Sequence, residues 1–491
     1  MLVSTRALFS LTTGKQWLAP FLLSLVLVPG CATSVISPEM EGELGAEQSR
    51  EVEDQIGLYE DDDLEKYVKA VGLRLVADLG YTPYTFHFAI VDQHEPNAFA
   101  SLGGYIYISR GLLVQMNSEA ELAGVLAHEI SHVTQRHHTR QVGRSVGAGL
   151  LTLPGKAVGI ISEDLGNIIN TPIEAVGNVY LSSYSRGQET EADEYGMALA
   201  AKSGYEPMAL VSALEGLERS AENLTGEHHE ASFFDSHPTT PTRVADIKDK
   251  AGSLPRNPRA PIATDAQLAQ RMEGLWWGPQ NPQQGVFQGQ VYLNADFDFR
   301  LAFAEEWKTV NSPRFVGASA ADGGAYIALG GGDPEHTVTE LANALQTKME
   351  EGAGIHPSER RQLSIGEWPA ELIRYDDQSG GETVSLFYLF VSVDGLSFTV
   401  MSMGYERYRE TLKETVLSLR QLTAAERESI GGLRVRLAEV RPGETFTSFG
   451  QRVGNEWPAE LTGIINGAAD NATPVAGSRL KLVRTERYMP Q

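Results

Sequence analysis

The chain has 491 residues, and its 64 Asp and Glu residues outnumber its 40 Lys and Arg residues. The resulting formal net charge of −24 argues against nucleic acid and anionic lipid surfaces as partners, because both would repel such a chain. The length leaves room for about two to four domains. The single cysteine excludes an intramolecular disulfide.

The N-terminus has the pattern of a secretory signal peptide, which we assign to residues 1–30. Basic residues precede an apolar run from Trp17 to Val28, which is too short for a comfortable membrane span, and small residues follow it. Cys31 comes directly after a glycine, in a context that resembles the lipobox of bacterial lipoproteins. We therefore expect a periplasmic protein held by lipid on Cys31, with the outer membrane as its destination. The alternative is a plain secretory signal with an incidental cysteine.

The segment after the cysteine predicts a tether, a helix and a small sheet. Residues 31–62 are polar and acidic and suit a tether. Apolar residues recur at helical spacing over 64–78, and residues 85–91 alternate as in a strand. Residues 97–108 indicate a hairpin or a bulged edge strand before the next helix.

Residues 128–132 read His-Glu-Ile-Ser-His within a segment whose apolar residues have helical spacing. This is the most informative motif in the chain about its function. His128 and His132 lie one turn apart on the same helix face, so both imidazoles can reach one metal ion. Glu129 projects toward a water in the open coordination position, where it can act as general base. The alternative is an ordinary exposed pair of histidines on a helix.

Glu189 is the best candidate for a third ligand, since a catalytic zinc normally takes three protein ligands. It shares a helix face with Asp193, four residues further on. One carboxylate can ligate the metal while the other accepts the distal N–H of a ligating histidine. The alternative is an acidic start of a solvated helix.

The rest of the chain divides into several predicted segments. The Gly- and Ala-rich stretch 142–179 suits either a lid over the cleft or plain core packing. Residues 255–285 are Pro-rich and polar, which indicates an interdomain linker, and residues 286–422 alternate strands and helices as an α+β accessory domain. The segment 434–486 resembles a LysM-type module, a class that binds glycan chains of peptidoglycan. A structural cap or a protein-docking role remains open for it.

Residues 63–254 are taken as the catalytic domain. Over roughly 63–250 of it, the chain resembles the HtpX-like and BepA-like zinc metallopeptidases, kin of the CAAX prenyl endopeptidases. The motifs that carry the resemblance occur in the family's order: Asn97-Ala98-Phe99-Ala100, Gly103-Gly104, Gly111-Leu112-Leu113, residues 121–132, Ser185-Arg186, Glu189 with Asp193, Gly204-Tyr205, His237-Pro238 and Arg243. The chain departs from the family at Ser101 and Leu102, where relatives often have Leu-Pro. That departure concerns the substrate-edge loop and not the metal.

The resemblance implies a fold and a set of roles. The expected class is α+β: a mainly helical zincin domain of the gluzincin type with a small edge sheet, then the α+β domain and the LysM-like module. It implies one Zn²⁺ per chain, held by His128, His132 and Glu189, with Glu129 as base and Asp193 as the partner of a ligating histidine.

Two further residues are expected near the metal. The resemblance implies that His237 lies close to the metal and occupies its open position in a resting form. His237 and Arg243 would stabilise the oxyanion of a tetrahedral intermediate. The alternative is that they belong to a helix start, with Arg243 paired on the surface. His137, His138, His228 and His229 have no such support, and we expect them to be solvated.

The edge strand around Asn97, Ala98, Gly103 and Gly104 is expected to hold extended substrate segments by β-augmentation. We therefore expect a zinc endopeptidase that removes misfolded or unassembled envelope proteins. An assembly factor or chaperone for outer-membrane proteins with a largely latent protease, and a cell-wall amidase, are the rival readings.

Overall fold

The computed structural model describes residues 36–140, 184–224, 233–238, 241–255, 258–378 and 381–490. The predicted signal peptide, Cys31 and the stretch 142–179 lie outside the described residues. Residues 287–423 form one compact unit, and the described residues on either side of that segment form another. The mixed α+β class is confirmed. Among the described residues, no helix is both long and apolar enough to cross a bilayer.

Helix α1 (Pro38–Gln55) occupies most of the segment that we predicted to be a tether. It begins at Ser37, whose side chain accepts a hydrogen bond from the Met40 backbone N–H. Glu41 and Val52 are among its buried residues, so one face of α1 packs against the rest of the unit. The prediction of a tether is therefore wrong for these residues.

Helix α2 (Asp62–Leu79) and a three-stranded sheet follow, as the sequence predicted. Strand β1 (His87–Val91) runs parallel to β3 (Tyr105–Ser109), and β2 (Ala98–Ala100) pairs antiparallel with the other side of β3. The order β1-β3-β2 leaves β2 at an edge. This confirms the predicted hairpin.

Six helices of the described residues build the part of the unit that contains the metal motif. They are α3 (Arg110–Gln115), α4 (Glu119–Thr134), α5 (Arg186–Lys202), α6 (Met208–Leu224), α7 (Phe233–Ser236) and α8 (Pro241–Ser253). The side chain of Ser118 caps α4 by accepting from the backbone N–H of Glu121. Helix α5 approaches α4 closely at Gly196, where a Cβ atom would lie 2.9 Å from the backbone N of His128. A glycine is therefore required where the two helices touch.

Residues 265–285 belong to the core of the same unit, so the prediction of an interdomain linker over 255–285 is wrong for them. They contain helix α9 (Asp265–Met272) and the short strand β4 (Trp276–Trp277), and both tryptophans are buried. The buried guanidinium of Arg110 donates to the carbonyl oxygens of Trp276 and Gly278, at 2.7 and 2.9 Å. These bonds fix the segment against α3.

Residues 287–423 form a unit of two antiparallel sheets and two longer helices, which we predicted as a domain with bounds at 286 and 422. Alternate residues of the central strand β13 (Val384–Val393) contribute to two apolar clusters, so its sheet is covered on both faces. One sheet has the order β11-β12-β13-β14-β10-β9-β8, and the other β15-β7-β6-β5. The elements are β5 (Val286–Gln288), β6 (Val291–Asn294), β7 (Phe299–Ala302), β8 (Lys308–Asn311), β9 (Phe315–Ser319), β10 (Ala325–Asp333), α10 (Val338–Ala353), β11 (Glu359–Ile365), β12 (Trp368–Asp377), β13 (Val384–Val393), β14 (Leu396–Tyr405), α11 (Arg409–Val416) and β15 (Arg420–Gln421).

The C-terminal segment returns to the unit that holds the metal motif. Its elements are α12 (Ala424–Ser429), β16 (Gly431–Glu439), α13 (Phe446–Val453), α14 (Ala459–Ile465) and β17 (Arg479–Arg487). Strand β16 pairs with β17 on one side and with β4 on the other, giving the order β17-β16-β4. The predicted module 434–486 is thus a β-α-α-β segment that shares a sheet with the buried tryptophan strand.

Candidate metal centre

Three separate segments bring four buried donor side chains together. His128 and His132 project from one face of α4, Glu189 lies in the first turn of α5, and His237 follows α7. None of the four is more than 1% exposed. One ligand atom from each lies within 4.8 Å of the ligand atoms of the other three.

The distances between these atoms suit a tetrahedral metal. His128 Nε2 lies 3.0 Å from His132 Nε2 and 3.7 Å from Glu189 Oε2, and His132 Nε2 lies 3.4 Å from Glu189 Oε1. A tetrahedral zinc with metal–ligand bonds of about 2.0–2.1 Å separates its ligands by about 3.3 Å. Two neutral imidazoles and one carboxylate are also the donor types that zinc prefers. The residues present fit this ion.

His237 stands where a fourth ligand would stand. Its Nδ1 lies 3.2 Å from His128 Nε2 and 3.1 Å from Glu189 Oε1. Its ring stacks on Phe233, with centroids 4.5 Å apart and planes inclined by 19°. The sequence expectation that His237 lies beside the other donors agrees with this geometry.

Asp193 and Arg243 contact the donor residues His128 and Glu189. Asp193 Oδ1 is 3.0 Å from His128 Nδ1, the nitrogen that faces away from the other donors. Arg243 holds both Asp193 oxygens through Nε and Nη2, at 2.7 and 2.8 Å, and its Nη1 lies 2.8 Å from Glu189 Oε2. The guanidinium therefore neutralises two buried carboxylates. Burial raises the pKa of Glu189, yet His237, His132 and His128 oppose it strongly enough to hold that pKa well below its usual range.

Glu129 is fully buried beside these groups. Burial raises the pKa of its carboxyl, and the nearby His237 and His128 act in the opposite direction. Its Oε1 lies 3.4 Å from His237 Nε2. The backbone of Ala100 also interacts with this carboxyl group and acts to lower its pKa. A buried carboxylate whose pKa is raised by burial is able to accept a proton from the water that attacks the substrate.

Two histidines that we expected to be solvated instead lie beside the donor residues and form hydrogen-bonding contacts there. His137 is completely buried, and its Nδ1 lies 2.9 Å from His132 Nδ1. His138 Nε2 donates to the carbonyl oxygen of Ala100, 2.6 Å away. Tyr184, which the sequence reasoning did not single out, stacks on the ring of His132 with centroids 3.7 Å apart. The expectation for His228 and His229 falls on residues outside those described.

The residues expected to form the substrate edge lie on or beside strand β2. Asn97 is buried, and its backbone exchanges hydrogen bonds with Ser109 through its N–H and its carbonyl oxygen, at 2.9 and 2.8 Å. Ala98 starts the strand itself. Gly103 and Gly104 have φ of 73° and 99°, and a Cβ atom on Gly104 would meet a backbone oxygen at 2.5 Å. These two glycines are needed for the turn that connects β2 to β3.

The profile of peptidase family M48 matches residues 62–251. The metalloprotease YcaL of Escherichia coli (strain K12) is 30% identical over 195 residues, which are 39% of this chain and 69% of that protein. The chain belongs to peptidase family M48. This confirms the resemblance drawn from the sequence motifs, and the family members named here are metalloproteases.

Other relatives share the same part of the chain. The β-barrel assembly-enhancing protease of Yersinia pestis is 29% identical over 262 residues, covering 52% of this chain and 53% of that protein. The Escherichia coli (strain K12) protein of the same name is 30% identical over 227 residues, covering 45% and 46%. The chain thus spans about half the length of these curated relatives.

Proposed function

We propose that this M48 family member is a zinc-dependent endopeptidase of the bacterial envelope. The observation that carries the proposal is the meeting of His128, His132 and Glu189 around one point, with Glu129 buried beside it. The proposal includes one Zn²⁺ per chain, held by these three residues. Asp193 would fix the tautomer of His128 through the contact at Nδ1. The mainly helical gluzincin type of zincin fold is part of the same proposal.

The chemistry follows from the positions of the chain's own groups. When bound, zinc lowers the pKa of water and polarises the scissile carbonyl. The Glu129 carboxylate takes the proton of the attacking water on one of its oxygens and later donates it to the leaving amine nitrogen. Its burial keeps bulk water from competing for that proton.

His237 and Arg243 have different parts in this scheme. In a resting form, His237 would hold the metal together with the three other residues, and its movement aside would make room for the substrate carbonyl. Its ring N–H would then donate to the oxyanion. The donors of Arg243 described above point to carboxylates, so we assign it the role of holding Asp193 and Glu189 in place. This role replaces the expected one of direct oxyanion contact.

For substrates we propose unfolded or misassembled envelope proteins. The names of the relatives from Yersinia pestis and Escherichia coli concern β-barrel assembly, and an edge strand such as β2 suits extended segments. Asn97, Ala98, Gly103 and Gly104 would shape that edge. The proposed location is the periplasm, with lipid on Cys31 as attachment to the outer membrane.

The rival readings have less support. The relatives are named as proteases, which favours a peptidase over a chaperone with a latent site and over a cell-wall amidase. The β-α-α-β order of the segment 431–487 agrees with a LysM-like module, but its pairing with β4 favours a structural role. Contact with peptidoglycan therefore remains a secondary prediction.

The variant Glu129→Gln tests the proposal. It removes the base while leaving the three ligands, so we expect zinc content to stay near one per chain and casein cleavage to fall by at least about 100-fold. Metal analysis and a cleavage assay with and without chelator measure the two effects. Glu194→Gln, an exposed change on α5, is the matched control.

Cleavage by Glu129→Gln at the wild-type rate would overturn the assignment of the base. A wild-type protein that contains no zinc, or that cleaves equally well in excess chelator, would overturn the metallopeptidase itself.

A further inference from the structure

A second line of polar contacts begins at His132 on the side away from the metal donors. His132 Nδ1 lies 2.9 Å from His137 Nδ1, and His137 Nε2 lies 3.1 Å from Glu191 Oε2. The same Glu191 oxygen accepts a hydrogen bond from Arg140 Nη1 at 2.8 Å. The line thus runs from a buried imidazole to a carboxylate and an arginine at the surface.

The proton positions along this line follow from one condition. If His132 Nε2 ligates the metal, its proton is on Nδ1, which then donates to His137. His137 accepts that bond through an unprotonated Nδ1, so its own proton is on Nε2 and is donated to Glu191 Oε2. Glu191 can only accept when ionised, and it therefore sets the direction of both bonds.

We propose that His137 and Glu191 are positioning residues, which fix the tautomer and ring orientation of His132 for metal binding. This rests on the proposed zinc site. His128 has a similar but shorter line of contacts. Its Nδ1 faces Asp193 directly, and Asp193 in turn accepts hydrogen bonds from Arg243. Both histidine ligands are thereby backed by an arginine-bound carboxylate, one directly and the other through His137.

Apart from His137, the His132 ring contacts Tyr184 on one face and His128, Glu189 and His237 on the side of the donors. Tyr184 stacks on one face with an inclination of 24°, which restricts the plane but not the rotation that exchanges the two ring nitrogens. The contact between His132 and His137 is therefore what distinguishes Nδ1 from Nε2. Loss of this contact would make the tautomer with its proton on Nε2 accessible and would weaken metal binding by His132.

Glu191 and Arg140, the partly exposed residues of this line of contacts, allow a test with little effect on the stability of the fold. Glu191 is 32% exposed and Arg140 is 46% exposed, so replacing Glu191 costs little stability, whereas His137 is fully buried. We therefore compare Glu191→Ala and Glu191→Gln with wild type. Glu194→Ala, an exposed carboxylate three residues further along the same helix, is the control.

The measurements are zinc affinity, by competition with a chromogenic chelator, and the visible absorption bands of the Co²⁺-substituted protein. We expect Glu191→Ala to bind zinc about 10- to 100-fold more weakly and to shift the Co²⁺ bands. Glu191→Gln keeps an acceptor oxygen for His137 Nε2–H and should recover part of the affinity. The control should match wild type in both readouts, and all variants should unfold at similar temperatures.

Two results would overturn the inference: a Glu191→Ala protein with wild-type affinity and unchanged Co²⁺ bands, or an equal loss of affinity in Glu194→Ala. Both require that the wild type binds zinc. If it does not, the proposed function fails instead, so the two failures are distinguishable.

Discussion

His237 places the strongest constraint on the proposed mechanism, because its side chain lies where a fourth ligand, and hence a substrate carbonyl, would bind. Its Nδ1 is as close to His128 and Glu189 as the proposed ligands are to each other. A site with four protein donors resembles a structural zinc site, whereas a catalytic one keeps an open position. The proposed mechanism therefore requires that His237 is released before the centre can act.

We expect His237→Ala to open the fourth position while leaving three ligands. Casein cleavage should rise relative to wild type, and zinc should be lost more readily to a chelator, because one donor is gone. Initial cleavage rates and chelator competition on the same preparations measure the two effects. A fall in cleavage with zinc retained would contradict this and would show that His237 contributes more to the transition state than to closure.

At the residue scale, the sequence could predict those site residues whose positions follow from helix geometry. His128 and His132 are spaced by one turn within α4, and Glu189 could be chosen because of Asp193 four residues later. The role of His137 could not be predicted in this way. Helix α4 ends at Thr134, and Arg136 has φ of 54°, so the chain turns and brings His137 back beneath His132. Continued helical spacing would have placed His137 on a different face.

At the scale of elements, α1 is held by a buried acid near its start and by Val52 near its end, which packs in an apolar cluster. Glu41 accepts hydrogen bonds from Tyr84 Oη at 2.6 Å and from Arg136 Nε at 3.0 Å, and it also contacts Thr139. Because Arg136 and Thr139 follow α4 directly, these bonds join α1 to the end of the metal-binding helix. The acidic composition that suggested a tether contains this buried contact, which composition cannot reveal.

Replacing Glu41 with Ala should destabilise this unit by about 2–4 kcal/mol, since Arg136 and Tyr84 lose their acceptor. Urea unfolding followed by tryptophan fluorescence measures the change. Glu43→Ala, an exposed site on the same helix, should stay within about 0.5 kcal/mol of wild type. Equal losses in both variants would mean that negative charge near the start of α1 stabilises the helix, and not the buried contact.

At the scale of the whole molecule, a buried lysine binds the C-terminal segment to the part of its unit that holds the metal motif. Lys481 Nζ donates to the backbone oxygens of Val114 and Met116, at 2.7 and 3.0 Å, and to Asn117 Oδ1 at 3.0 Å. Burial lowers the pKa of Lys481 to about 7, and Glu121 opposes that shift. The sequence suggested a separate module here, because contacts between residues so distant in the chain leave no local pattern.

This lysine should make stability depend on pH in a defined direction. Between about pH 7 and the unfolded pKa near 10.5, the unfolded chain binds the proton that the folded protein has released, so the free energy of unfolding rises with pH. Wild type should gain up to about 1.4 kcal/mol per pH unit relative to Lys481→Met across that window. Denaturant unfolding of both proteins at pH 7.5 and 9.5 measures the difference. If the free energies of unfolding of the two proteins differed by the same amount at pH 7.5 and 9.5, the shifted pKa would be contradicted.

The contact from Lys481 to Val114 spans 367 residues, and β16 closes a sheet on a strand that lies before the whole 287–423 unit. During synthesis, the helices that hold the four donors therefore emerge long before their last structural partners. Until β16 is made, the tryptophan strand lacks its paired strand, and until β17 is made, the end of α3 lacks the bonds from Lys481. The proposed peptidase therefore completes this packing only after residues 479–487 have left the ribosome, which limits the time in which an incomplete copy is able to cleave its neighbours.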